Sequence, residues 1–499
     1  MNRDLCKRTI NEDCSILSAL ELMERGETRT LYRCDSNGVL LSVVTEGDLR
    51  RLLLQGQDLN SLVSESSTNQ CGKSFIFAHI KDTDSVVYEL LMKHRIEEIP
   101  LLDDDGRLRS LVSRSDYFEK IPLSNPELNG TEVEHISDAL ASNWIAPVGP
   151  YITMFEEKIA AELETDAEKV VAVASGTAAI HLILASLGIG RNDVVLVPTF
   201  TFIASAAPIE YCGAIPVFID CTADTWGICP ESLRKAIIFS IDEYGTAPKV
   251  LITADIYGGA SDYNLVSKIC DEYEITIVQD AAEAFGSTYE GTPSGLQGKY
   301  AALSFNGNKM ITTSGGGAVI APDTESAKTV RYLATQAKSD QIYYHHERIG
   351  FNYRLSNILA ALGVAQINSL ADRVSRKILI YENYKKICAD IGLQVSWMET
   401  VPESKNCRWL TVGRLDNYVV YPGQTIRSLN QKGIEFRHVW KPLHMQPVFV
   451  NKRLFSVSDN PVSEQIFKSG ICFPSNLDIT PGMQFRAVSV LSQLLRDVR

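Results

Sequence analysis

Three short stretches of this 499-residue chain set reactive side chains at the ends of apolar runs, two of them beside glycines. In Val170-Val-Ala-Val-Ala-Ser175-Gly176-Thr177-Ala-Ala-Ile-His-Leu, a strand-like run ends in Ser-Gly-Thr and passes at once into good helix formers. A helix opening there points free N–H groups outward and glycine permits close approach, so the turn can hold a phosphate. Most turns of this kind bind nothing, and this one gains weight only in company. In Ile275-Thr-Ile-Val-Gln-Asp280-Ala-Ala-Glu283, an apolar strand ends in an acid. Ligands of open α/β sheets lie beyond the carboxyl ends of strands, where a carboxylate can keep a ring nitrogen protonated. The commoner meaning of such an Asp is a helix N-cap. In Leu303-Ser304-Phe-Asn-Gly-Asn-Lys309-Met-Ile-Thr-Thr-Ser-Gly-Gly-Gly317, a lysine sits between two apolar strands. A lone lysine is ordinarily a surface solubiliser. The glycine run here lets the chain pack around a planar object, and a desolvated lysine amine suits imine formation.

The elements that must position these groups follow from periodicity. From Pro122 to about residue 370, β-branched runs alternate with helical patterns. Strands are expected at 170–174, 194–197, 217–220, 250–253, 276–279, 302–305 and 318–321, with helices such as 178–187 and 263–273 between them. That alternation predicts a mostly parallel sheet covered on both faces, an α/β fold. Residues 371–499 read as a smaller α+β domain. Pro122-Leu-Ser-Asn-Pro126 is a linker-like break.

Residues 1–121 contain a repeat, in copies at about 9–58 and 78–121. Ser15 to Met23, Asp35-Ser-Asn-Gly38 and Leu41 to Asp48 are answered by Ser85 to Met92, Asp103-Asp-Asp-Gly106 and Leu108 to Asp116. Each copy reads as helix, strand, glycine turn, strand and a helix opened by the Asp.

Composition excludes several classes. A net charge of −13 argues against non-specific grip on nucleic acid or anionic membrane. No apolar run spans a bilayer, and Met1 to Ser15 lacks the apolar core of a signal peptide. Eleven cysteines without a Cys-x-x-Cys pair, and eight dispersed histidines, give no metal site and read as reduced thiols of a cytoplasmic protein.

Taken together, the three stretches resemble the DegT/DnrJ/StrS-type nucleotide-sugar aminotransferases, which depend on pyridoxal 5′-phosphate (PLP) and have the aspartate-aminotransferase fold, fold type I. The likeness runs from about Pro122 to the C-terminus. It includes Gly149 to Glu157, Val197 to Ser205, Gly350-Phe-Asn352-Tyr-Arg354-Leu-Ser and Gly433 to His444. The resemblance implies a PLP-binding large domain at 122–370 and a small domain at 371–499. It implies Lys309 as the Schiff-base lysine and Asp280 as the partner of the pyridinium nitrogen. Glu283 then lies near the ring hydroxyl and Phe202 stacks on the ring. Gly176, Thr177 and Ser304 form the phosphate cradle, and Asn352 reaches the phosphate of a neighbouring subunit's cofactor, so a homodimer or higher homo-oligomer is expected. Arg354 and His444 are either substrate contacts or structural. The wording around Lys309 is most similar to enzymes that move an amino group, from glutamate, to C4 of a UDP-4-keto-6-deoxy-N-acetylhexosamine. Asp255 departs from the family, which often has His there, and puts fine specificity in doubt.

The repeat resembles a pair of CBS domains, which implies an adenine nucleotide held by Thr45 with Asp48 and by Ser113 with Asp116. Ser42 and Ser110 depart from the family's glycine. The alternative is a docking element without ligand. For the whole chain, a catalytically silent nucleotide-responsive scaffold and a PLP-dependent sugar dehydratase are the other readings.

Overall fold

The computed structural model describes residues 5, 8–26, 28–63, 75–114 and 120–497. They fall into two compact units, one formed by Met1–Glu119 with Thr480–Arg486 and the other by Lys120–Ile479 with Ala487–Arg499. Ile121 belongs to the second, since it exchanges backbone hydrogen bonds with Gly433 and Glu435 at 2.8 Å each.

The first unit is two copies of one pattern. The first copy runs β1 (Thr9–Ile10), α1 (Ile16–Arg25), β2 (Thr30–Cys34), β3 (Leu40–Thr45) and α2 (Glu46–Leu54). The second runs β4 (Ala78–His79), α3 (Asp84–His94), β5 (Glu98–Leu102) and β6 (Leu108–Ser113). The helix expected at Asp116 lies outside the described residues. The pairing β2/β3 runs from Thr30↔Thr45 to Cys34↔Leu40, and β5/β6 from Glu98↔Ser113 to Leu102↔Leu108, each with its irregularity one residue before the end. Gly38 (φ 82°) and Gly106 (φ 75°) take the left-handed position that both turns require. Asp35 and Asp103 each accept two backbone N–H bonds inside their turns. The short strands β1 and β4, parallel to β2 and β5, were not expected: two-residue strands carry no periodicity. The helix after β3 opens on Thr45 rather than Asp48. Thr45 is the N-cap, and Asp48 returns a bond from three residues inside, a capping box.

In the second unit, β7 (Val170–Val173) leads into α4 (Gly176–Ser186), followed by β8 (Val194–Pro198), β9 (Ile215–Ile219) and β10 (Val250–Ala254). Next come α5 (Tyr263–Asp271), β11 (Thr276–Asp280), β12 (Tyr300–Ser304), β13 (Gly317–Ile320), the long helix α6 (Leu370–Ile391) and β14 (Leu454–Phe455). The sheet order is β14-β9-β8-β10-β11-β12-β13-β7. Every pair is parallel except those of β13, which runs against both neighbours. Burial on both faces explains the unbroken apolar runs. Val171 and Val173 pack with Ile180 and Ile183, while Val170 and Ala172 pack with Phe155 and Ile159 on the opposite face. The core does not stop at residue 370. Trp409, Val412 and Phe467 share a buried cluster with Phe155 and Leu303, and β14 extends the main sheet beside β9.

Candidate active site

The carboxyl ends of β7, β8, β10, β11 and β12 open on one cavity of about 410 Å³. Gly176, Thr177, Phe202, Asp280, Glu283, Ser304 and Lys309 all line it. Asn352 does not: it is exposed and bridges Thr335.

Ser175 caps α4 by accepting a bond from Ala178 N at 3.1 Å. The first N–H groups of the helix have no intrahelical acceptor, and Gly176 and Thr177, which carry two of them, line the cavity. A Cβ on Gly176 would stand 3.0 Å from Ser304 Cβ, and one on Gly317 would stand 2.6 Å from Gly176 N. The last glycine of the run thus packs β13 against the Ser175–Gly176 turn, not against a planar ligand as its sequence suggested.

Asp280 ends β11 and is buried. Ser205 Oγ donates to its Oδ2 at 2.6 Å and Ala282 N to its Oδ1 at 3.1 Å. Burial pushes this carboxyl up from its usual range, and the Ser205 and Ala282 bonds and the Lys309 charge oppose that. No helix follows it, so the N-cap alternative does not apply. Lys309 is no surface lysine. Its side chain is 13% exposed, its Nζ lies 3.5 Å from Glu283 Oε1, and it stands 4.2 Å from the centre of the Trp409 ring. The other Glu283 oxygen accepts Tyr257 N at 2.8 Å. Tyr257 presents that N–H from a left-handed conformation (φ 54°), a strained state for a buried aromatic that its surroundings must enforce. Phe202 is half exposed at the mouth, 5.1 Å from the Trp440 ring.

Behind these groups Asp255 is fully buried and accepts from Tyr263 Oη (2.6 Å), Gln279 Nε2 (2.7 Å) and Ser294 Oγ (2.7 Å). Burial lifts its carboxyl to about 6 against the pull of those three donors. His444 and Arg354 do not line the cavity. The ring of His444 is engaged by Thr199 (2.7 Å) and Glu464 (3.3 Å), and Arg354 bridges Val173. Among the lining residues that were given no role from the sequence are Trp409, Trp440 and Arg437, the last two inside the stretch Gly433 to His444. Two tryptophans at one site in a chain with only five were the available signal.

In the first unit, Thr45 and Asp48 bond one another (Oγ1 to Oδ2, 2.6 Å) and Asp48 pairs with Arg51. Ser113 ends β6, and Asp116 lies outside the described residues.

Residues 126–492 match the DegT/DnrJ/EryC1/StrS aminotransferase family, and residues 1–55 match the CBS domain. EpsN of Bacillus subtilis (strain 168), whose name places it among pyridoxal phosphate-dependent aminotransferases, is 42% identical over 76% of this chain and 97% of its own. GDP-perosamine synthase of Escherichia coli O157:H7 is 33% identical over 71% of this chain and 93% of its own. A DegT DnrJ EryC1 StrS aminotransferase structure from Brucella abortus matches with a TM-score of 0.67 at 28% identity, covering 73% of this chain and 95% of that one. The PLP form of Spr1654 from Streptococcus pneumoniae matches with a TM-score of 0.70 at 25% identity, covering 76% and 100%.

Proposed function

We propose, from the premise that this chain belongs to the DegT/DnrJ/EryC1/StrS aminotransferase family and is a PLP-dependent sugar aminotransferase, that it transfers nitrogen from glutamate to a nucleotide-linked keto-sugar. The acceptor position is C4 of a UDP-4-keto-6-deoxy-N-acetylhexosamine, made for surface-glycan synthesis in the cytoplasm. One observation carries the reading: the amine of Lys309 and the carboxylate of Asp280 line the same cavity as a helix N-terminus.

That set fits PLP in its chemistry: donors for a phosphate, an acid for a ring nitrogen, an aromatic face and an amine. PLP, when bound, supplies an electron sink for the pair left on the donor's α-carbon. Gly176 and Thr177 N–H groups and Ser304 Oγ would hold its phosphate, and Phe202 would lie beside its ring. Asp280 keeps the ring nitrogen protonated, and Glu283 meets the ring hydroxyl. Lys309 Nζ would take the proton from the donor's α-carbon, hold it as an ammonium and give it up again, base first and then acid. Arg437, the guanidinium among the lining residues, receives an anionic part of the substrate. The exposed Asn352 serves a second copy, so the active form is a homodimer or higher homo-oligomer. In the CBS unit, Thr45 with Asp48 and Ser113 with Asp116 hold an adenine nucleotide that modulates turnover.

The test incubates purified protein with PLP, glutamate and a panel of UDP-, GDP- and dTDP-linked keto-sugars, with products read by mass spectrometry. A yellow, borohydride-bleached protein, an aminated UDP-sugar and parallel double-reciprocal lines are expected. Absence of 2-oxoglutarate with every acceptor refutes the transfer. Calorimetric titration with AMP, ADP and ATP tests the CBS unit, and absence of both heat and altered turnover refutes its role.

A further inference from the structure

We infer that Trp409 is a positioning residue for the amine of Lys309: its indole N–H fixes the loop that carries the lysine, and its ring face is the resting place of the ammonium that forms while the lysine carries a proton. The inference rests on Lys309 being the reactive lysine, as proposed above.

The geometry is specific on both points. Trp409 is 2% exposed, and its Nε1–H donates to the carbonyl of Asn308 at 2.7 Å, one residue before the lysine. One residue after the lysine, the carbonyl of Met310 accepts a bond at 3.1 Å from Arg373, a guanidinium on α6 that is also 2% exposed. Two donors from distant parts of the chain thus clamp the peptides on either side of Lys309. Trp409 is itself backed by the Tyr257 ring, nearly parallel at 14° with centroids 6.3 Å apart.

The charge of the amine is met unequally. Glu283 Oε1 stands 3.5 Å from Nζ, well beyond the roughly 2.7–2.9 Å of a tight charge-assisted bond. The face of Trp409, with Nζ 4.2 Å from its centroid, lies inside the range of a cation–π contact. The difference suits a proton carrier. In the transfer, the C–H bond of the amino donor breaks, its electron pair stays with carbon, and the proton joins Nζ. The same proton then leaves Nζ for the carbon on the far side of the nitrogen being transferred, and the amine is neutral again. A carboxylate in tight contact would compete for that proton, whereas a π face attracts the positive charge and has no lone pair to take it.

The test uses the full-length protein with Trp409→Leu, which loses both ring and N–H, and Trp409→Phe, which keeps a weaker face without the N–H. In cofactor-free protein, acylation of Lys309 is followed against pH by mass spectrometry of its peptide. Loss of the face should move the midpoint down by about half to one and a half pH units in Trp409→Leu, and by less in Trp409→Phe. In the PLP-loaded enzymes, the half-reaction with α-deuterated glutamate should show a larger isotope effect in Trp409→Leu. Turnover of Trp409→Phe should fall about two- to tenfold through the lost hydrogen bond. Native midpoints and an unchanged isotope effect in Trp409→Leu overturn the inference. Should Trp409→Leu not fold, native turnover together with a native midpoint in Trp409→Phe overturns it. If the unaltered protein fails to trap PLP on Lys309 with borohydride, the reading of the site falls instead, and the two failures are distinct.

Discussion

Replacing Asp255 by Asn should abolish one contribution to stability that the native chain loses as pH rises from about 4 to 6.5. Asp255 is fully buried, and burial lifts its carboxyl from the usual 3.8 to about 6. A carboxyl raised on folding contributes stability that is complete below its unfolded value and is lost as pH climbs through the folded one. About two units at roughly 1.4 kcal/mol each comes to about 3 kcal/mol lost by pH 7.5. Asn is nearly isosteric and can be satisfied in place. Its Oδ1 accepts from Gln279 Nε2 and Ser294 Oγ, which now bond Asp255 Oδ2, and its Nδ2 donates to Tyr263 Oη. Tyr263 then turns its proton to Thr253 Oγ1, 2.9 Å away. The assay is the urea midpoint of cofactor-free protein, native and variant, at half-unit steps of pH. The two curves should converge toward about pH 4, separate between about pH 4 and 6 as the variant gains on the native chain, and run parallel above about pH 7. Parallel curves between about pH 4 and 6 would refute the reasoning, because they would mean that folding does not raise the Asp255 carboxyl.

Lys309→Ala should lose the borohydride-trapped cofactor and at least about a thousandfold in turnover while keeping its far-ultraviolet circular dichroism, since Lys309 lies outside every helix and strand. Ser205→Ala removes the 2.6 Å donor to buried Asp280, and a lost bond to a charged group of about 1.5–3 kcal/mol should lower kcat/KM by roughly ten- to 150-fold. Gly317→Ala would drive a Cβ to 2.6 Å from Gly176 N and 2.7 Å from Leu303 O, both backbone, so the variant should bind PLP at least about tenfold more weakly by absorbance titration.

The main sheet was legible because its strands are buried on both faces and so appear as unbroken β-branched runs: all seven expected strands are present, with ends shifted by a residue or two. The edge strand β14 was not, since two residues contributed from a distant segment carry no pattern. At the site, Ser175, Gly176, Asp280 and Lys309 were legible because each stands beside a strand end or a glycine, where the local chain is constrained. Trp409 was not, because it reaches the cavity from the C-terminal segment and nothing local marks it, while Arg437 and Trp440 stood in a stretch that resembles the family but were given no role. The glycine run was noticed for a reason the structure revises: Gly317 is needed by the neighbouring turn, a contact between residues 141 positions apart in sequence.

The repeat in the first unit shows how near-symmetry in sequence can coexist with an inequivalent pair of ends. The hairpins meet in a reciprocal pair of backbone bonds, Leu40 N to Gly106 O and Leu108 N to Gly38 O, both 3.0 Å, as a two-fold arrangement requires. One polar cluster breaks that symmetry. Glu98 of the second copy accepts from buried Tyr32 Oη of the first at 2.8 Å and pairs with Arg8. Burial and the Glu98 carboxylate together push the Tyr32 hydroxyl well above the phenol range. The equivalent positions are Thr30 and Pro100, which offer neither carboxylate nor hydroxyl ring. Removing one partner of a buried pair is costly, so the cluster selects one mutual arrangement of two otherwise interchangeable copies. It also places a carboxylate opposite Ser113, where the first copy has only Thr30 opposite Thr45.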